Sequence, residues 1–194
     1  MTAVLAFDRV SAIRRDKLLF EALSFKLAPG EAALVTGANG AGKSTLIRIA
    51  AGLLAPAAGI VTRGATATAL LGEASALDLD LTLADALAFW TKLDHGDARH
   101  TGAALATMAL APLAAVPVRL LSTGQRRRAA IARVVASGAA LWLLDEPANG
   151  LDAQAVAALG TVIADHRAQG GAVLVATHLA IDLPAALPID LGAA

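Results

Sequence analysis

The sequence predicts an α/β fold: a parallel-sheet core, an N-terminal antiparallel β-piece ahead of it and a helical insert within it. Three observations carry that expectation. The runs Ala32 to Val35, Ala140 to Leu144 and Val173 to Thr177 are almost continuously apolar, as strands buried on both faces of a parallel sheet are. The first leads into a glycine-rich stretch, Gly37 to Thr45, and then into a helical pattern. A helical stretch from Ala155 to His166 passes through Gly170-Gly171 into the last run, the βαβ alternation that makes strands parallel.

Taken in order, the chain begins with short apolar pieces, Val4 to Phe7 and Leu23 to Leu27, followed by the turn Pro29-Gly30. These read as an antiparallel β-piece leading into the first core strand. The helix opening at Lys43 is expected to end near Pro56. From about residue 77 to 120 the pattern turns helical, with Leu83, Leu87 and Trp90 on one stripe and Leu105, Met108 and Ala109 on another. This block reads as a helical insert within a single domain spanning 1–194. No repeats, low-complexity tracts or linkers interrupt it.

The chemistry starts at Gly37-Ala38-Asn39-Gly40-Ala41-Gly42-Lys43-Ser44-Thr45, which fills every fixed position of the phosphate-binding pattern G-x-x-x-x-G-K-[ST]. Glycines let successive backbone N–H groups curl around phosphate oxygens, and the helix that follows presents its positive end to an anion. The pattern therefore binds a nucleoside triphosphate, with Lys43 reaching the β- and γ-phosphates and the Ser44 hydroxyl ligating Mg²⁺. The strand at Ala140 to Leu144 ends in Asp145-Glu146-Pro147, placing two carboxylates at the sheet edge where ligands of open α/β folds sit. Asp145 is suited to hold Mg²⁺ and Glu146 to polarise the attacking water, although two acids before a proline also suit a solvated turn.

Between these motifs lies Leu121-Ser122-Thr123-Gly124-Gln125, followed by the basic helical run Arg126 to Val135. It resembles the LSGGQ signature of ATP-binding cassette (ABC) proteins; Ser122-x-x-Gln125 also fits a helix capping box, and both readings can hold. Asn149-Gly150-Leu151-Asp152 resembles the D-loop of the same family, and His178 resembles its switch histidine. The ordered set resembles the nucleotide-binding domain of ABC transporters, a P-loop NTPase core of the RecA-like kind. That resemblance implies ATP and Mg²⁺ as ligands and Glu146, His178 and Lys43 as catalytic residues. It also implies a nucleotide-dependent homodimer in which Ser122 and Gly124 act on the ATP of the opposite subunit, and it makes Gln125 and Asp152 nucleotide-binding residues as well. Leu18-Leu19-Phe20, Leu23-Ser24-Phe25, Leu81 to Leu87, the non-glycine third signature position and the early end after His178 are similar to the haem-exporter ATPases of cytochrome c maturation. The implied setting is the cytoplasmic face of the inner membrane, with integral-membrane transporter subunits as partners. Another transported cargo, a non-transport ABC ATPase and a non-hydrolysing interaction module are the alternatives.

Two family features are missing. No glutamine stands at the start of the insert, where Glu73 or Ala74 falls, and no tyrosine is available to stack on adenine. Phe20, Arg14 or Arg15 could take the stacking role. Composition narrows the rest. Apolar residues make up 57% and formal net charge is +0, which gives no basis for nucleic-acid steering. The uncharged stretch Thr101 to Val118 is broken by Pro112 and Pro117 and is too weakly apolar to span a bilayer. Asp8 and Arg9 interrupt any signal-like start, and without cysteine there is no disulfide or thiolate metal site. His95 and His100 lie in a polar stretch and read as solvated loop residues rather than haem ligands.

Overall fold

The computed structural model describes residues 3–64, 67–94 and 98–192. Strands β1 (Leu5–Arg14) and β2 (Lys17–Leu27) form an antiparallel hairpin from Leu5↔Leu27 to Arg14↔Lys17. Its two turn residues, Arg15 and Asp16, both take positive φ, as the twist of a two-residue hairpin requires. After β3 (Ala32–Thr36), α1 (Lys43–Ala50) leads to β4 (Ala58–Arg63), which pairs with the free edge of β1 and gives the order β2-β1-β4. The main sheet is completed by β5 (Thr68–Leu71), β6 (Leu141–Asp145), β7 (Ala172–Ala176) and β8 (Leu187–Asp190) in the order β5-β6-β7-β3-β8, every pairing parallel.

The core strands are buried on both faces and divide their side chains between two cores. Ala33, Val35, Leu143 and Leu174 point to the side packed by Leu46, Ile47 and Ile49 of α1 and by Leu5, Phe7 and Leu27 of the antiparallel sheet. Trp142, Leu144, Val173 and Val175 point the other way, toward α4 (Thr123–Ala136), α5 (Ala153–Ala168) and the insert. Each fully buried Leu or Val in these strands contributes about 1.5–3 kcal/mol relative to exposure, so both cores stiffen the sheet edge that carries the site.

The insert consists of α2 (Leu83–Leu93), α3 (Ala98–Thr107) and two short 3₁₀ turns. Thr82 caps α2, its Oγ1 accepting from the Asp85 N–H at 3.2 Å. Leu83, Leu87, Leu105 and Met108 are buried and Trp90 is partly so, as the stripes predict. Ala109 is not part of that core: it is exposed at φ 53 beyond the end of α3, and Leu110 is buried in its place. His100 lies on helix α3 rather than a loop, and His95 lies outside the described residues.

Helix α1 stops at Ala50, short of the expected end near Pro56. Gly52 turns the chain out at φ 77, and the Arg63 guanidinium donates to the carbonyls of Ile49 and Ala50, satisfying acceptors that the helix end leaves open.

Candidate functional site

The carboxyl ends of β3, β6 and β7 meet at a cleft of about 700 Å³. β7 lies between the other two, so His178 after β7 stands between the glycine-rich loop after β3 and the acids after β6. The cleft is lined by Asn39, Gly40, Gly42, Lys43, Ser44 and Thr45 from the loop and by Asp145, Glu146 and His178.

At the loop's exit Gly42 takes φ 107 and gives α1 no side-chain cap. A Cβ there would come within 3.0 Å of Leu19 Cβ, so both conformation and space call for glycine. Lys43, almost wholly buried, donates from Nζ to Gly37 O at 2.8 Å and Ala38 O at 3.4 Å and stands 3.6 Å from Glu146 Oε1. Gly37 and Ala38 thus hold the lysine through their carbonyls, while Ala41 packs on the first core.

The two acids are shifted in opposite directions. Burial raises the Asp145 pKa above its ordinary 3.8; the Ser44 hydroxyl beside it pulls the other way, and the neighbouring Glu146 charge adds to the rise. Its Oδ1 is buried without a hydrogen-bond partner among the described residues. A hard cation fits that gap: an unfilled carboxylate oxygen with a hydroxyl alongside is an all-oxygen donor set of the kind Mg²⁺ takes. For Glu146, burial alone would raise the pKa, but His178 outweighs it and the net shift is downward. His178 Nδ1 lies 2.9 Å from Glu146 Oε2, and the His178 backbone N–H donates to the same oxygen at 3.2 Å. Since Glu146 is held ionised, the ring nitrogen facing it is the donor. Glu146 itself sits at φ 48, in the left-handed region.

Ser122, Gly124, Gln125 and Asp152 do not line this cleft, although Thr123 and Asn149 beside them do. Ser122 caps α4, with Oγ accepting from Gln125 N–H at 3.2 Å and Gln125 Oε1 accepting from Ser122 N–H at 2.8 Å, a complete capping box. Gly124 sits against the D-loop region, where a Cβ would meet Gly150 O at 3.2 Å. Asp152 caps α5, accepting from Ala155 N–H at 2.8 Å. Of the stacking candidates, Phe20 is buried beside Gly42 and does not reach the cleft; Arg14 lines it and Arg15 does not.

Sequence reasoning missed the cleft residues Thr123, Arg126, Arg127, Ser75 and Asn149 as individuals. Arg127 had a usable signal: its spacing from Ile131 and Val134 puts it on the inward face of α4. Glu73 does line the cleft, where the family's glutamine is absent.

The sequence profile described as ABC transporter matches residues 20–149. The chain is 58% identical over 185 residues to the cytochrome c biogenesis ATP-binding export protein CcmA of Sphingopyxis alaskensis, covering 95% of this chain and 94% of that one. It is 52% identical to the protein of the same name from Zymomonas mobilis, covering 93% and 81%. Among solved structures, an ABC transporter ATP-binding protein from Pyrococcus furiosus superposes with a TM-score of 0.85 over 96% of both chains at 20% identity, a likeness of fold alone. An inward-facing metal-chelate type ABC transporter matches with a TM-score of 0.77 at 26% identity, over 92% of this chain and 74% of that one.

Proposed function

Since the chain belongs to the ABC transporter family and is one of its ATPase subunits, we propose that it drives the haem-export system of cytochrome c biogenesis. The observation that carries the catalytic part is the convergence of Lys43, Glu146 and His178 at one sheet edge, with Glu146 ionised between the other two. The cargo is supported by the 58% and 52% identical relatives, both cytochrome c biogenesis ATP-binding export proteins by name.

Phosphate oxygens take over the Lys43 ammonium from the Gly37 and Ala38 carbonyls and from Glu146, which frees the glutamate to accept a proton from the attacking water. His178 keeps the Glu146 carboxylate aimed through its ring and its backbone N–H, and its own exposed side reaches toward the terminal phosphate. Ser44 and Asp145 would hold Mg²⁺, which when bound neutralises charge building on the phosphates. The Arg14 guanidinium offers the base a stacking face in place of an aromatic ring.

Dimerisation on ATP is supported by the two ends of the site. Ser122 and Gly124 do not line their own cleft, and the first N–H groups of α4 lie outside the helix's hydrogen-bond ladder. A second copy turned head to tail presents them to the terminal phosphate. Docking to the membrane subunits uses the insert, where Leu79, Phe89, Leu93 and Leu120 are exposed and apolar. Those subunits hold the chain at the cytoplasmic face; no helix of the described residues is long and apolar enough to cross a membrane. A deletion strain should lose covalent haem attachment to c-type cytochromes and regain it with the wild-type chain. Normal cytochrome maturation in that strain, with no second copy of the ATPase, would refute the cargo and leave the ATPase assignment standing.

A further inference from the structure

Helix α4 carries three consecutive arginines, and they do three different things. Arg126 lines the cleft, and Arg128 donates to Met108 O at 3.2 Å. Arg127 turns to the sheet edge, where its guanidinium donates to Gly72 O at 2.8 Å, Asp145 O at 2.8 Å, Glu146 O at 2.6 Å and Pro147 O at 3.3 Å. One planar group thus joins the exits of β5 and β6. Five donors in a fixed fork can span both segments; the single ammonium of a lysine cannot.

The segment so held contains the unusual backbone of the site. Glu146 is left-handed, a conformation disfavoured for any residue with a Cβ, and it persists only where neighbours enforce it. Its N–H is bound by Ala176 O at 2.7 Å, and Arg127 binds its carbonyl. We propose that Arg127 is a positioning residue for hydrolysis, holding the Asp145–Pro147 backbone so that the Glu146 carboxylate meets the attacking water, and tying that geometry to Gly72 beside Glu73. Glu73 faces the same cleft, so a shift at the β5 exit passes to the catalytic carboxylate through one side chain.

The inference rests on Glu146 as the water-activating group, and a double-mutant cycle separates the two. Single-turnover rates and ATP affinity are measured for Arg127→Met, Glu146→Gln and the double variant, on the purified chain and in its membrane complex. Arg127→Met should slow hydrolysis by roughly ten- to a hundredfold, the loss a misplaced catalytic group brings, with ATP affinity within about threefold of wild type. In the Glu146→Gln background it should cost less than about twofold, because the group it positions is already gone. Equal losses in both backgrounds, or an unchanged rate per folded molecule in the single variant, would overturn the role. Wild-type turnover in Glu146→Gln alone would instead remove Glu146 as the base, and the inference with it. Should Arg127→Met fail to fold, Arg127→Lys and Arg127→Gln take its place in the cycle, with the same pattern expected.

Discussion

Of the helices that begin on the nucleotide side of this fold, α1 and α4 begin in opposite ways. Helix α1 starts at Gly42 with no side chain closing its end, whereas α4 starts at Ser122 with both halves of a capping box in place. An uncapped helix start leaves donors that an anion must fill, while a capped one is largely complete without a ligand. The difference teaches a division of labour. Under the proposed function, the loop before α1 trades local stability for phosphate binding, and α4, already capped, would offer its few remaining N–H groups to a second copy.

The largest expected effect comes from emptying the α1 site. Lys43→Ala should reduce ATP turnover by at least about a hundredfold, the scale on which loss of a preorganised charge acts on a transition state. Phosphate release is the readout, and retained turnover would show that the open end of α1 is not the phosphate site.

A glycine at each helix start then sharpens the contrast. Gly42→Ala forces a Cβ into φ 107 against Leu19, so it should cost about 1–3 kcal/mol of stability and weaken ATP binding together. Gly124→Ala meets no such backbone strain; its Cβ needs Gly150 O, at 3.2 Å, to give by a few tenths of an ångström, so it should cost less stability than Gly42→Ala and leave ATP binding by the folded chain near wild type. Placed in the Glu146→Gln background, it should lose the ATP-dependent dimer seen by sizing. If the two substitutions fail in the same assay, the division between the helix starts is wrong.

The smallest effect concerns what the open site costs the nucleotide-free protein. Asp145 has a pKa raised by burial, so its folded state prefers the proton: the associated stability is present at low pH and lost as pH rises through the folded value. Asp145→Asn mimics the protonated form. It should raise the melting temperature near pH 7 by a few degrees while abolishing Mg²⁺-dependent turnover, and the gain should shrink as pH falls toward the carboxylate range. A gain that does not change with pH would point to packing rather than charge.

How legible each part was depends on where its information lies. The three central strands were plain because burial on both faces forces continuous apolar runs, as in Leu141 to Leu144. Edge elements carry no such mark. β4 is almost wholly exposed, β5 has four residues, and β8 contains Pro188, tolerated because β8 is an edge. Sequence spacing likewise placed α1's start but not its end, since Arg63, distant in the chain, supplies donors to its last carbonyls.

For the site, the sequence by itself determined the proposed chemistry, because phosphate binding and water activation demand particular residue types at short, fixed spacings: Gly37 to Thr45, Asp145-Glu146 and His178. Only the tertiary structure decided how those groups bear on one another. It put β7 between β3 and β6, brought His178 within 2.9 Å of Glu146, and engaged Ser122 and Asp152 as helix caps that do not line the cleft. It also chose Arg127 from three adjacent arginines. The reason is physical: local motifs are set by backbone geometry over a few residues, whereas strand order and the direction a buried guanidinium takes follow from packing among segments far apart in the chain.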